Sequence, residues 1–132
     1  GGNGSDRLYG DAGNDTLTGG ADVDYFYFNS APGSVGVDTI TDFDVGGANE
    51  VIYMDNDTFV GLGVAGILTA NKFLAAAGAT AAATADQRIV YNTTNGALYF
   101  DADGVGGVAA VQIAVIANKP ATLIASDIHV LE

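Results

Sequence analysis

Large apolar residues fall nine apart at the start of the chain: Leu8, Leu17 and Phe26. Two positions before each stands an acid, Asp6, Asp15 and Asp24, and each unit opens on glycine, at Gly1, Gly10 and Gly19. Six residues of turn followed by three of strand account for this period. The glycines permit positive φ and let carbonyls point inward, and the apolar eighth residue faces a core between two thin sheets. Past residue 57 the period stops and the chain becomes rich in Ala, Val and Gly. TANKFLAAAG (69–78) predicts a short helix over 70–78, with Thr69 or Asn71 as N-cap and Gly78 near its end. Residues 87–91 and 97–101 flank NTTNG and predict a hairpin. Residues 108–116 predict a long central strand, and 128–131 a final one.

Composition narrows the picture. The 132 residues suffice for one domain, and 48% are apolar, enough for a core. With no cysteine, neither a disulfide nor a thiolate metal site is available. The net charge of −12 makes DNA, RNA and anionic lipid poor partners. Residues 1–57 hold eleven acids against one base, Arg7. Such crowding opposes folding unless a cation neutralises it. The same stretch carries Tyr25, Phe26, Tyr27, Phe28, Phe43 and Tyr53, too much apolar bulk for a solvated acidic tail. The most apolar run, 73–85, is 13 residues of mostly Ala and Thr; a membrane span needs roughly 20. No N-terminal signal peptide is read, and the chain opens in mid-repeat, as expected of a piece of a longer protein; Leu131 and Glu132 are either native or an appended remnant.

The template G-G-x-G-x-D-x-U-x fits residues 1–9 at every defined place: Gly1, Gly2, Gly4, Asp6 and Leu8. The second unit keeps Gly10, Gly13, Asp15 and Leu17 but has Asp11 at place two. The third keeps Gly19, Gly20, Asp24 and Phe26 but has Asp22 at place four. These repeats resemble the calcium-binding nonapeptides of the RTX (hemolysin-type) family. The chain looks like the C-terminal end of a secreted member, similar to the last domain of the serralysin proteases. RIVY…GALYFDADG…AAVQIAVI…SDIHV adds a looser resemblance to RTX C-termini. The resemblance implies a mostly-β fold: a short parallel β-roll continuing into an antiparallel β-rich cap with one short helix.

The chemistry supports it independently. If two units complete one coil, residues 18 apart stack, Leu8 on Phe26 and Asp6 on Asp24. Stacked carboxylates repel unless a hard cation sits between them. Calcium takes six to eight oxygens and mixes carboxylates with carbonyls, whereas magnesium dehydrates reluctantly. The resemblance implies at least two Ca²⁺ ions. One is held by carbonyls of Gly2, Gly4 and Gly19 with the side chains of Asp6 and Asp24. The other is held by carbonyls of Asp11 and Gly13 with Asp15, completed by Asn29, Asp38 and Glu50. The linker 44–49 looks longer than usual for the family, which makes Asn49 an alternative to Glu50. Asp22, Asp101 and Asp103 are further candidates. Ordinary turns between strands are the simpler reading of the glycines and aspartates, and three consecutive nonamers weigh against it. Asp42 and Asp44 read equally as ligands or solvated edge acids; Asp55 and Asp57 read as solvated.

DADG (101–104) opens like a calcium loop, but Gln112 stands where an EF-hand needs Glu; an Asp-Gly turn is the alternative. GLGVAG (61–66) matches a dinucleotide fingerprint without its strand and helix. His129, the single histidine, has Ser126 and Asp127 as sequence neighbours, which do not make a triad in space. Acid pairs without Trp give no sugar-cleaving cleft. The expectation is therefore a non-catalytic module: residues 1–57 the calcium-binding roll and its closing segment, 58–132 a cap and secretion-signal region, packed as one domain. The resemblance implies an extracellular or cell-surface location and the type I secretion machinery as partner. An adhesin or surface-layer module that binds a surface ligand or self-associates is the competing reading.

Overall fold

The computed structural model describes residues 1–33, 36–45 and 50–132. The nonamers form very short strands: β1 (Gly2–Asn3), β2 (Arg7–Tyr9), β3 (Thr16–Leu17), β4 (Gly20–Ala21) and β5 (Tyr25–Phe28). β6 (Asp38–Ile40) and β7 (Val51–Asp55) follow. Successive long-side strands alternate between two sheets. β2, β5 and β7 run parallel in one, and β3 and β6 run parallel in the other. Arg7 pairs with Tyr25 and Leu8 with Phe26, the 18-residue stacking that the nonamer period predicts. The next step is longer: Thr16 pairs with Thr39, a spacing of 23.

The inner faces carry the core. Leu17, Phe26, Phe28, Ile40, Ile52 and Met54 are buried between the sheets, and Phe43 tilts against Phe26 with ring centroids 5.8 Å apart. Outward on the first sheet, Tyr9, Tyr27 and Tyr53 stack in a row, at 4.6 and 4.9 Å, and His129 meets Tyr53 edge-on at 5.3 Å. His129 is thus a packed surface ring, and the Asp127 carboxylate beside it in sequence accepts the Ile124 N–H at 2.8 Å.

The second half adds β8 (Gly66–Ile67), β9 (Phe73–Ala76), β10 (Ile89–Asn92), β11 (Ala97–Phe100), β12 (Val111–Ile116) and β13 (Ile128–Leu131). β10 and β11 form the hairpin predicted around NTTNG, with the Gly96 N–H bonded to Asn92 O at 2.8 Å. The antiparallel β10–β11–β12 run matches the expected cap. Two strands depart from it. β12 lies parallel to β6, and β13 lies parallel to β7. The last residues therefore resume the winding of the first, and residues 56–110 are an excursion between β7 and β12. One hydrophobic cluster runs from Leu17 to Val130.

The helix expected over 70–78 is absent. A single 3₁₀ turn covers Ala70–Lys72, and Phe73–Ala76 is a strand paired with β10. Alanine favours helix by a few tenths of a kcal/mol per residue. This half-buried four-residue segment gains more from pairing along β10 and placing Phe73 against the core. Among the described residues no helix is long and apolar enough to cross a membrane.

Ile52, fully buried in the middle of β7, sets a test of this packing. Ile52→Ala should lower unfolding stability by about 2–5 kcal/mol, while Val60→Ala, at a site 66% exposed, should stay within about 0.5 kcal/mol. Urea titration in saturating calcium reads both; equal midpoints would contradict the core described.

Candidate metal centre

Why each nonamer needs its glycines is visible in the backbone. Places two and four have positive φ in all three units: Gly2 at 128° and Gly4 at 91°, Asp11 at 58° and Gly13 at 137°, Gly20 at 110° and Asp22 at 77°. The two departures from glycine are both aspartate, a residue that tolerates the left-handed region. Place one needs glycine for space. A Cβ on Gly1 would overlap the Asp6 carboxylate, and one on Gly10 the Asp38 carboxylate. On Gly19 it would come within 2.5 Å of Asp24 Oδ2 and 3.0 Å of Glu50 Oε1.

The acids tie each turn to the one beneath. The Asp6 N–H donates to Asp24 Oδ1 at 2.8 Å, and the Asp15 N–H to Asp38 Oδ1 at 3.0 Å. Gly4 N–H donates to Asp22 Oδ2 at 3.1 Å. Gly19 and Gly20 donate to the two oxygens of Asp42, each at 2.9 Å. Asp22 and Asp42 therefore hold backbone amides of the turn below. One carboxylate oxygen, Oδ2, of each of Asp6, Asp15 and Asp24 is buried and has no hydrogen-bond partner. Asp24 is fully buried as a whole residue. A buried carboxylate oxygen without a donor costs several kcal/mol unless a cation meets it.

Strand alternation sorts the acids into two rows. Asp6, Asp24 and Glu50 each immediately precede a strand of the first sheet and lie along one edge. Asp15 and Asp38 stand at the start of strands of the second sheet, along the other. Glu50 is therefore not beside Asp38, as the sequence reading had it. It packs against Asp24 at the Gly19 turn, and its Oε2 accepts the Asp44 N–H at 2.9 Å. The signal was present in the sequence: Glu50 precedes Val51 as Asp24 precedes Tyr25, and Val51 pairs with Tyr25. Asn49 lies outside the described residues. Asp11, Gly13, Asn29 and Asp38 line one open pocket. Burial is the main cause that raises Asp38 above the ordinary carboxylate range, with Asp15 and Asp11 adding repulsion.

A cation fits these residues. Among the described residues no three acidic or histidine side chains gather into a metal-binding group. A divalent ion here would rest on carboxylate pairs, Asp6 with Asp24, Asp24 with Glu50, or Asp15 with Asp38, filled out by turn carbonyls. That mixture suits calcium. DADG differs. Asp101, buried, accepts Ala82 N–H at 3.1 Å and Asp103 N–H at 3.4 Å, and Asp103 Oδ2 accepts Val108 N–H at 3.0 Å. These bonds pin two loops together and leave only Asp103 Oδ1 without a partner. GLGVAG runs into the two-residue β8 and opens no helix.

Residues 1–30 match the family model of the RTX calcium-binding nonapeptide repeat (4 copies). Over this stretch the chain is similar to RTX repeats. The unbonded Asp oxygens thus lie in the stretch that matches this calcium-binding repeat, a repeat typically found in secreted proteins. No curated protein and no solved structure matches the chain significantly.

Glu50 supplies a pH test. Without metal its pKa is pushed up to about 7 from 4.5, mainly by burial; the Asp44 N–H opposes this, and repulsion from Asp42, Asp24 and Asp44 adds to it. The folded form then keeps a proton that the unfolded chain gives up, so metal-free stability should fall as pH rises from 4.5 to about 7. A calcium ion at this edge must displace that proton. Calorimetric titration near neutral pH, in buffers of different ionisation enthalpy, should show proton release that Glu50→Gln removes. Identical apparent enthalpies in every buffer would place Glu50 outside the cation's reach.

Proposed function

We propose that the chain is a calcium-driven folding module, the C-terminal part of a larger exported protein, and is itself non-catalytic. The observation that carries this is the set of buried Oδ2 atoms on Asp6, Asp15 and Asp24 with no donor, within repeats of a calcium-binding family. Metal-free, these groups repel and are desolvated; with calcium they become ligands. Extracellular-type calcium sites bind at roughly 10⁻⁴–10⁻³ M. At calcium about 20-fold above that constant each site adds RT ln 21, about 1.8 kcal/mol. Two sites then supply about 3.6 kcal/mol, a large share of a domain's ~5–15 kcal/mol. At cytosolic calcium the gain nearly vanishes. A chain loose inside the cell and folded outside suits passage through a narrow type I export channel, with a signal near the C-terminus.

The competing reading is a surface-binding or self-assembling module held rigid by calcium. The stacked outer row of Tyr9, Tyr27 and Tyr53 favours keeping it, because Tyr9 leaves 48% of its surface exposed. Size against concentration in calcium separates the two: a folding module stays monomeric.

Far-UV circular dichroism during a calcium titration tests the main reading, with magnesium as control. A cooperative gain of β-structure at sub-millimolar to millimolar calcium is expected. Asp6→Ala and Asp38→Ala should each remove about 1.8 kcal/mol of calcium-dependent stability. A spectrum already folded in chelator and unchanged by calcium would sink the proposal.

A further inference from the structure

The two edges carry different numbers of stacked acids. Asp6, Asp24 and Glu50 form one column: Tyr25 N–H donates to Asp6 O at 2.9 Å, and Val51 N–H to Asp24 O at 3.0 Å. Neighbouring strands lie about 4.8 Å apart, so the column holds three carboxylates and two gaps. It ends at Ser126, which stands two residues before Ile128 as Glu50 stands before Ile52, the partner of Ile128. On the other edge Asp15 and Asp38 enclose one gap, because the residue that pairs with Asp38 on β12 is Ala114.

The gap between Asp24 and Glu50 brings buried oxygens to one spot. Asp24 is fully buried and Glu50 is 2% exposed. Asp24 Oδ2 has no hydrogen-bond partner. It lies 2.5 Å, and Glu50 Oε1 3.0 Å, from the point that a Cβ on Gly19 would occupy. Glu50 Oε2 accepts the Asp44 N–H, which fixes the side chain. Asp42, held by the Gly19 and Gly20 amides, adds charge beside them. Arg7, the one basic side chain in residues 1–57, is spent on the Tyr25 ring, 5.9 Å from its centroid. A single divalent ion leaves Asp6, Asp22, Asp24, Asp42 and Glu50 strongly negative together; a second removes most of the remainder.

We infer that Asp24 is shared by two calcium ions, one toward Asp6 and one toward Glu50, which gives the molecule a third site between its last repeat and β7. This rests on the calcium reading above. Glu50 lies beyond the residues that match the repeat, 1–30, so this ion fastens a strand from outside the repeats to β5. Asp24 Oδ1 takes the Asp6 N–H, and a carboxylate offers about four lone-pair sites, enough for that amide and two ions. Turn carbonyls and water complete the six to eight oxygens that calcium takes.

Counting ions tests this. Equilibrium dialysis against radioactive calcium, with excess magnesium to occupy weak surface sites, gives the calcium bound per chain at saturation. We expect three ions in the wild-type protein, two in Glu50→Gln, two in Asp38→Asn and one in Asp24→Asn. Glutamine keeps an oxygen for the Asp44 N–H, so Glu50→Gln leaves that turn bonded, and the wild-type count needs no variant to fold. Two ions in the wild type, or three in Glu50→Gln, would overturn the inference. So would the loss of only one ion in Asp24→Asn, which would put Asp6, Asp24 and Glu50 around a single cation. No calcium bound by the wild-type protein would instead overturn the calcium reading itself.

Discussion

The structure turns on one buried oxygen per turn. Asp6 and Asp24, at place six, lie against the glycines that open their units, Gly1 and Gly19, and Gly10 lies against Asp38 of the neighbouring coil. One carboxylate oxygen accepts an amide across the stack, as Asp24 Oδ1 does from Asp6 N–H. The other has no protein donor. Backbone and side chain thus agree on a geometry that water does not satisfy and protein alone does not complete. Every other feature of the repeat follows from it. Glycine at place one leaves room for the carboxylate, and positive φ at places two and four shapes the turn around it.

The strands could not hold this arrangement alone. They are two to four residues long in the repeats, well below what an isolated sheet needs. Their stability comes from stacking, in which each inward residue meets its equivalent in the neighbouring coil. Phe26 lies between Leu8 and Ile52, and Ile52 lies beside Ile128. The acids sit at the ends of these same rungs. Cation binding at the edge and apolar packing in the middle therefore act on one register, and a slip in either would break both.

The repeats were legible because their signal is local. Gly1 to Phe26 fixes the turn, the strand and the 18-residue stack without reference to the rest of the chain. The hairpin around NTTNG was legible for the same reason. Three features were not. Phe73–Ala76 looks helical on propensity and becomes a strand only because β10 is available beside it. Glu50 was assigned to the wrong edge because its partner depends on which sheet the next strand joins, a property of topology. Asp42 read equally as a metal ligand or a solvated edge acid, yet its two oxygens hold amides of the Gly19 turn. A carboxylate's role here depends on which backbone passes within 3 Å, and that is set by stacking 22 or 23 residues away.

The return of the chain onto its own first half constrains how the fold can form. β6 is flanked by β3 and β12, and β7 by β5 and β13. In each case one neighbour is local and the other lies more than 70 residues downstream. Closing such a loop costs entropy before any contact repays it, and long-range parallel pairing is slow for that reason. Until β12 and β13 arrive, β6 and β7 are exposed sheet edges, and Ile40 and Ile52 lack part of their cover. The turns proposed to bind the cation precede those edges in sequence. Neutralising the acids first would remove the repulsion across the stack and present β6 and β7 as a prepared template. On this account the ion lowers the cost of ordering the early coils, and the C-terminal strands convert that local order into a closed core.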